Sequence, residues 1–150
     1  MNMRFILIAC RVLLGVVFII ASAHKILFPG DFAEAVFQYR ILPDALINVT
    51  AITLPWIELV VALAIMFSAR FKDGAALVIL LMLAVFAAAM SFNLLRGLEI
   101  ACGCFSVGDD VEIIGWGNVL RNVGYMFLAS AVLAEDWILQ RVGKDGGWRF

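Results

Sequence analysis

Residues 74–95 read GAALVILLMLAVFAAAMSFNLL, 22 residues without one charged side chain. At a rise of about 1.5 Å per residue this segment makes a helix of roughly 33 Å, enough for a bilayer hydrocarbon core of about 30 Å. A helix at the surface of a water-soluble domain would carry a polar face at the 3.6-residue period. Here the polar groups are Ser91 and Asn93, both near one end, so the segment reads as a membrane span.

Working outward, three more stretches have the same character. One runs over about 5–23, with Arg11 and Gly15 inside it. Another covers about 45–69 and carries Pro55, Trp56 and Glu58, and the last covers about 113–134 with Arg121. Four spans of about 20 residues use roughly 80 residues, which leaves short loops and no room for a separate soluble domain in a chain of 150. The composition agrees: 65% of residues are apolar, 15% are charged and the mean hydropathy is +1.04. The expectation is an all-α integral membrane protein, a single domain over 1–150 built as a four-transmembrane-helix bundle. A short interfacial helix follows the first span. There Asp31 and Glu34 have capping-box spacing, and Phe32, Val36 and Tyr39 share one face. The N-terminus resembles a signal peptide, with Arg4, an apolar run and Ala21-Ser22-Ala23, but Arg11 interrupts the run and we expect it to remain as a span. The tail from Asp136 to Phe150 reads as an interfacial anchor at most.

Charge sets aside one class and suggests a topology. Eleven basic and twelve acidic residues, net −1, make no cationic footprint for nucleic acid. Three cysteines and one histidine are too few for an iron–sulfur cluster or a bis-histidine haem. With the N-terminus inside, Arg4, Arg70, Lys72, Arg141, Lys144 and Arg149 fall on the inner side, against Lys25, Arg40 and Arg96 outside. The positive-inside rule then places both termini in the cytoplasm. It places the loop from Arg96 to about Glu112 on the opposite side, facing the periplasm or the cell exterior.

That loop holds Cys102-Gly103-Cys104. Two cysteines one residue apart close a small ring, which Gly103 permits through its backbone freedom, and strain in such a ring favours its reduction. A purely structural staple would gain little, because so short a loop has little entropy to lose. A soft-metal site with His24 is the other alternative, short of ligands, and no metal is expected. An oxidising compartment suits disulfide exchange. Cys10, near the opposite membrane face, reads as a small packing residue.

Arg11, Glu58 and Arg121 lie inside apolar spans, where an ionisable group is expensive and pairs or serves function. By helical rise Arg11 and Glu58 sit roughly 9 and 16 Å from the inner ends of their spans, within reach of a long arginine, so an Arg11–Glu58 pair is expected. Arg121 is the alternative partner. A cation left over, Arg121 by preference, can hydrogen-bond an oxygen of a bound quinone beneath the cysteine loop. Asn93, Arg96, Asn118 and Asn122 fall near the same level, with Trp56, Phe92, Phe105 and Trp116 available as walls.

The ordered set Arg11-x-x-x-Gly15-x-x-Phe18, His24-Lys25, Pro29, Phe32, Tyr39-Arg40-x-Leu42-Pro43, Pro55-Trp56-x-Glu58, Asn93-Leu94-Leu95-Arg96-Gly97, Cys102-Gly103-Cys104-Phe105 and Leu120-Arg121-Asn122 resembles the MauE group of DoxX-like membrane proteins. The resemblance covers about residues 8 to 134. It implies a four-helix bundle distantly similar to the DsbB and vitamin K epoxide reductase type of quinone-linked disulfide enzymes. It also implies a role with a periplasmic thioredoxin-like partner in maturing the disulfide-rich small subunit of methylamine dehydrogenase. Two features depart from the pattern: Ser106 replaces the usual glycine after Phe105, and the loop offers one cysteine pair where DsbB-type enzymes use two.

The activity these readings favour is thiol–disulfide exchange between that partner and a membrane quinone. Cys102 and Cys104 would be the reacting groups, with Arg121, Arg96, Asn93, Asn122 and Trp116 around the quinone. A non-enzymatic scaffold for periplasmic maturation and a soft-metal handling protein are the alternatives.

Overall fold

The computed structural model describes residues 3–98 and 113–135. Cys102, Gly103, Cys104, Phe105 and the tail after 135 lie outside the described residues. Within them the chain forms five helices: α1 (Met3–Leu27), α2 (Pro29–Gln38), α3 (Asp44–Phe67), α4 (Lys72–Leu95) and α5 (Trp116–Leu133). In hydrocarbon every backbone N–H and C=O must be paired within the protein, and a helix does this without a partner strand. Phe5–Leu27, Asp44–Phe67 and Lys72–Leu95 are long and apolar enough to cross a membrane. The fourth segment is helical over 18 residues, about 27 Å, somewhat shorter than its apolar stretch suggested.

The helices run alternately up and down, α1 packing chiefly on α3 and α4 on α5. This creates two ends. One holds α2 and the connection from α4 to α5; the other holds the start of α1, the turn from α3 to α4 and the end of α5. The main core lies toward the second end, where Leu14, Ala62, Ile65, Ala76, Ile79, Ala129 and Val132 are fully buried. A Cβ added to Gly15 would overlap the Met66 side chain and approach the Ala62 carbonyl oxygen to 3.3 Å, so glycine there lets α1 and α3 close. The outward faces are apolar too: Phe5, Leu95 and Phe127 are each more than two-thirds exposed, as side chains against lipid should be.

Local signals explain the helix ends. Gly97 adopts φ +68, and the bonds Gly97 N–H to Leu94 O (3.0 Å) and Leu98 N–H to Asn93 O (3.2 Å) make a Schellman close to α4. Pro55 is buried inside α3, where it removes the donor for the Ala51 carbonyl; packed spans tolerate this.

The segment expected to be a polar loop with an Asp31 cap is instead helical from Pro29, with Phe28 at the N-cap and no side-chain cap. Proline has no N–H to waste and a φ already suited to the first helical position, so the helix starts three residues earlier than an Asp31 cap would set it. The expected face survives: Phe32 and Ala35 are buried, and they turn α2 toward the bundle.

Candidate functional site

Helix α1 continues to Leu27, one turn beyond the Ala23 at which the apolar stretch was expected to end. Leu7, Leu14, Phe18 and Ala21 line its buried stripe, and Lys25 follows one turn later on the same stripe. Lys25 is therefore 3% exposed and Glu58 1% exposed, with Lys25 Nζ 2.6 Å from Glu58 Oε1. The ammonium also lies 5.0 Å from the Phe32 ring centroid and 5.3 Å from that of Phe86, a cation–π arrangement on two sides. Glu58 is thus paired with Lys25, and not with Arg11 or Arg121. Counting Lys25 as an outer-loop residue hid this, and the periodicity Leu14, Phe18, Ala21, Lys25 was the available signal.

Arg11 has a different task. Its Nε and Nη2 donate to the Ile65 carbonyl oxygen at 3.0 and 2.9 Å. Ile65 lies in the last turn of α3, where intrahelical donors run out and a cation complements the helix dipole. Arg11 caps a neighbouring helix, which is why the Arg11–Glu58 pair does not form: in the antiparallel packing Arg11 stands level with Ile65, two turns beyond Glu58.

The ion pair borders a cavity of about 40 Å³ whose polar lining comes from Lys25, Glu58, Asn118, Arg121, Asn122 and Tyr125. Glu58 Oε2 and Asn118 Nδ2 are buried without a partner among the described residues, an acceptor and a donor on residues that line the same small space. That volume suits water, which can serve both. Asn122 Nδ2 donates to the Leu83 carbonyl across the α4–α5 interface at 3.0 Å.

The expected cluster is thus only partly assembled. Arg121, Asn118 and Asn122 meet at the cavity. Asn93 is fully buried and donates to the Ala89 carbonyl of its own helix at 3.0 Å, its Oδ1 unpartnered. Arg96 stacks on Phe92 at 5.3 Å. Trp116, Trp56 and Phe92 are each more than half exposed and face outward instead of walling the site. Aromatic residues at helix ends anchor to the interface as readily as they line sites, and here that role prevails. Cys10 is half-buried, free and packed against the main core.

A second space, of about 420 Å³, opens between α2, α3 and α4. Phe32, Val36, Tyr39, Leu54, Val85 and Phe86 are among its walls, so the α2 face that the sequence singled out lines a groove. Phe86 borders both spaces. Tyr39 and Phe86 of the groove wall also belong, with Leu98, to the small cluster around Met90 and Ile114; Leu98 and Ile114 flank the connection that carries Cys102 and Cys104.

Long apolar helices with lipid-facing exteriors, closed around a buried ion pair, define a small helical integral membrane protein with a polar site within the membrane layer. Comparison with known sequences gives the family: the methylamine utilisation protein MauE profile matches residues 3–135, and the chain belongs to that family. It is 36% identical over 128 residues to the methylamine utilization protein MauE of Paracoccus denitrificans, covering 85% of this chain and 68% of that protein. The MauE of Paracoccus versutus is 37% identical over 127 residues (84% and 67% covered). That of Methylorubrum extorquens is 32% identical over 120 residues (79% and 62% covered). The chain thus spans about two thirds of the length of these relatives. No solved structure matches it.

Proposed function

We propose that this chain is a membrane thiol–disulfide oxidoreductase that links a periplasmic thioredoxin-like protein to a membrane quinone. In the first half-reaction a partner thiolate attacks Cys102 of a Cys102–Cys104 disulfide, releasing the Cys104 thiolate. The partner's second thiolate resolves the mixed disulfide. The partner loses two electrons and two protons and leaves as a disulfide, and the loop becomes a dithiol. In the second half-reaction the loop dithiol returns to the disulfide while two electrons and two protons pass to the quinone, which leaves as quinol.

The observation that carries this reading is the Cys102-Gly103-Cys104 tripeptide in the connection between α4 and α5. Its flanks Leu98 and Ile114 pack at the α2 end, the end with the unpartnered polar atoms. With α5 as a fourth span, both termini lie in the cytoplasm, α2 lies at the outer interface and the cysteine loop faces the periplasm of an inner membrane. The relatives are named for methylamine utilisation, which supports a role for the proposed exchange in that process, and the resemblance implies maturation of a disulfide-rich subunit of methylamine dehydrogenase.

The test uses purified protein with ubiquinone or menaquinone analogues and a reduced thioredoxin-like protein, following quinone absorbance. Quinone reduction that is lost in Cys102→Ser is the expected result. No reduction with either quinone, despite a loop disulfide that mass spectrometry shows to be reducible, would favour the non-enzymatic scaffold. That second reading draws on the single cysteine pair in the loop, where DsbB-type exchange uses two.

A further inference from the structure

We propose that the groove between α2, α3 and α4 is the binding site for the quinone ring, with Lys25 as the buried cation behind its aromatic wall. This rests on the quinone-linked reading above and moves the ring away from Arg121.

Size makes the first selection. An apolar cavity of about 150 Å³ takes up a benzene ring. The space bordered by Arg121, Asn118 and Asn122 measures about 40 Å³ and cannot admit a substituted ring. The groove measures about 420 Å³ and lies between the short helix α2 and two helices, α3 and α4, that are long and apolar enough to cross a membrane.

Chemistry makes the second. A saturated acyl chain would fill the groove equally well on volume alone. The groove, however, is walled by the rings of Phe32, Tyr39 and Phe86, which offer stacking surfaces to a flat ring. The Lys25 ammonium lies 5.0 and 5.3 Å from the centroids of two of these same rings. Glu58 balances the ammonium charge, so what acts on the groove is the dipole of the ion pair, with its ammonium end set against the groove's own rings. Such a dipole does nothing for a hydrocarbon chain and favours a molecule that gains negative charge as electrons arrive. Burial at 3% shields it from water and salt, and the Glu58 contact fixes its direction.

Connectivity makes the third. Tyr39 and Phe86 belong both to the groove wall and to the small cluster with Leu98 and Ile114. The site that would accept electrons therefore adjoins both ends of the connection that carries the cysteine pair.

The experiment is photolabelling of the purified protein with an azido-ubiquinone analogue, read by mass spectrometry, with equilibrium binding of a short-chain ubiquinone measured alongside. Adducts are expected on α2 and on the Val85–Ala89 region of α4. Val36→Trp and Ala89→Trp fill the groove from different walls, and each, once shown to be folded by its melting transition, is expected to weaken binding by about tenfold or more, the scale of a lost ring contact. The paired change Lys25→Met, Glu58→Leu is expected to retain binding but shift the bound quinone's midpoint potential to more negative values. Adducts confined to α5 near Arg121, or binding unchanged in both tryptophan variants, would overturn the assignment.

Binding needs no cysteine, so the two proposals fail separately. Quinone reduction that persists undiminished with the groove filled would overturn this site and leave the redox reading intact. Groove binding without cysteine-dependent turnover would do the reverse.

Discussion

The two ends of the bundle solve opposite problems with similar helices. At the end away from α2, α1, α3, α4 and α5 close on fully buried aliphatic residues such as Leu14, Ile65 and Ile79; the charges there are used up, Arg11 on a helix terminus and Lys72 on Glu135 at 3.1 Å. At the α2 end the buried polar atoms His24 Nδ1, Glu58 Oε2, Asn93 Oδ1 and Asn118 Nδ2 have no partner among the described residues, and both spaces bordering Phe86 lie there. In a membrane an unpaired polar atom is costly, so a fold tolerates such atoms where they serve a site. The contrast teaches that one half is closed by aliphatic packing while the other keeps buried polar groups and open space, which is where the proposed chemistry would have room.

The largest expected effect lies in the ion pair that joins the halves. Lys25→Met leaves Glu58 buried without its cation and is expected to lower unfolding stability by about 3–5 kcal/mol, whereas the double change Lys25→Met, Glu58→Leu restores most of it. Thermal unfolding in detergent decides this, and a single variant as stable as the double would mean that the pair carries no structural weight. Next comes the close helix contact in the apolar half. Gly15→Ala forces α1 away from Met66 and Ala62 and is expected to cost about 1–3 kcal/mol with no change in quinone affinity. A loss of affinity without loss of stability would erase the division of labour between the halves. The smallest effect is expected for Asn122→Ala, which removes the bond to the Leu83 carbonyl. Interhelical bonds of this kind average about 0.6 kcal/mol in membranes, measurable by the same unfolding assay.

Much of this architecture was written plainly in the chain. The uncharged run 74–95 and the stretches 5–23 and 45–69 marked the three helices long and apolar enough to cross a membrane, because apolar length is a strong signal, and Phe32, Val36 and Tyr39 marked the inward face of α2; the fourth stretch, 113–134, gave an 18-residue helix that is not among those three. The partners of the charges were not legible. Helical rise gives the depth of Arg11, Glu58 and Arg121 but not their azimuth, and an arginine spans several ångströms of either. The decisive residue, Lys25, looked like a loop cation because it follows Ala23 and His24; only continuation of α1 to Leu27 brings it inside. The aromatic walls were misjudged for a related reason. Trp56 and Trp116 face outward, while Phe32 and Phe86, which take up the ammonium, have no polar atom to draw attention in a sequence.

The claim that the α2 end performs thiol–disulfide exchange is tested most directly by trapping its covalent intermediate. A thioredoxin-like partner lacking its second active-site cysteine, mixed with the oxidised protein, is predicted to give a mixed disulfide that mass spectrometry locates at Cys102, with Cys104 free to be alkylated. Absence of any mixed disulfide at Cys102 or Cys104, with the loop disulfide present and reducible by small dithiols, would contradict the account.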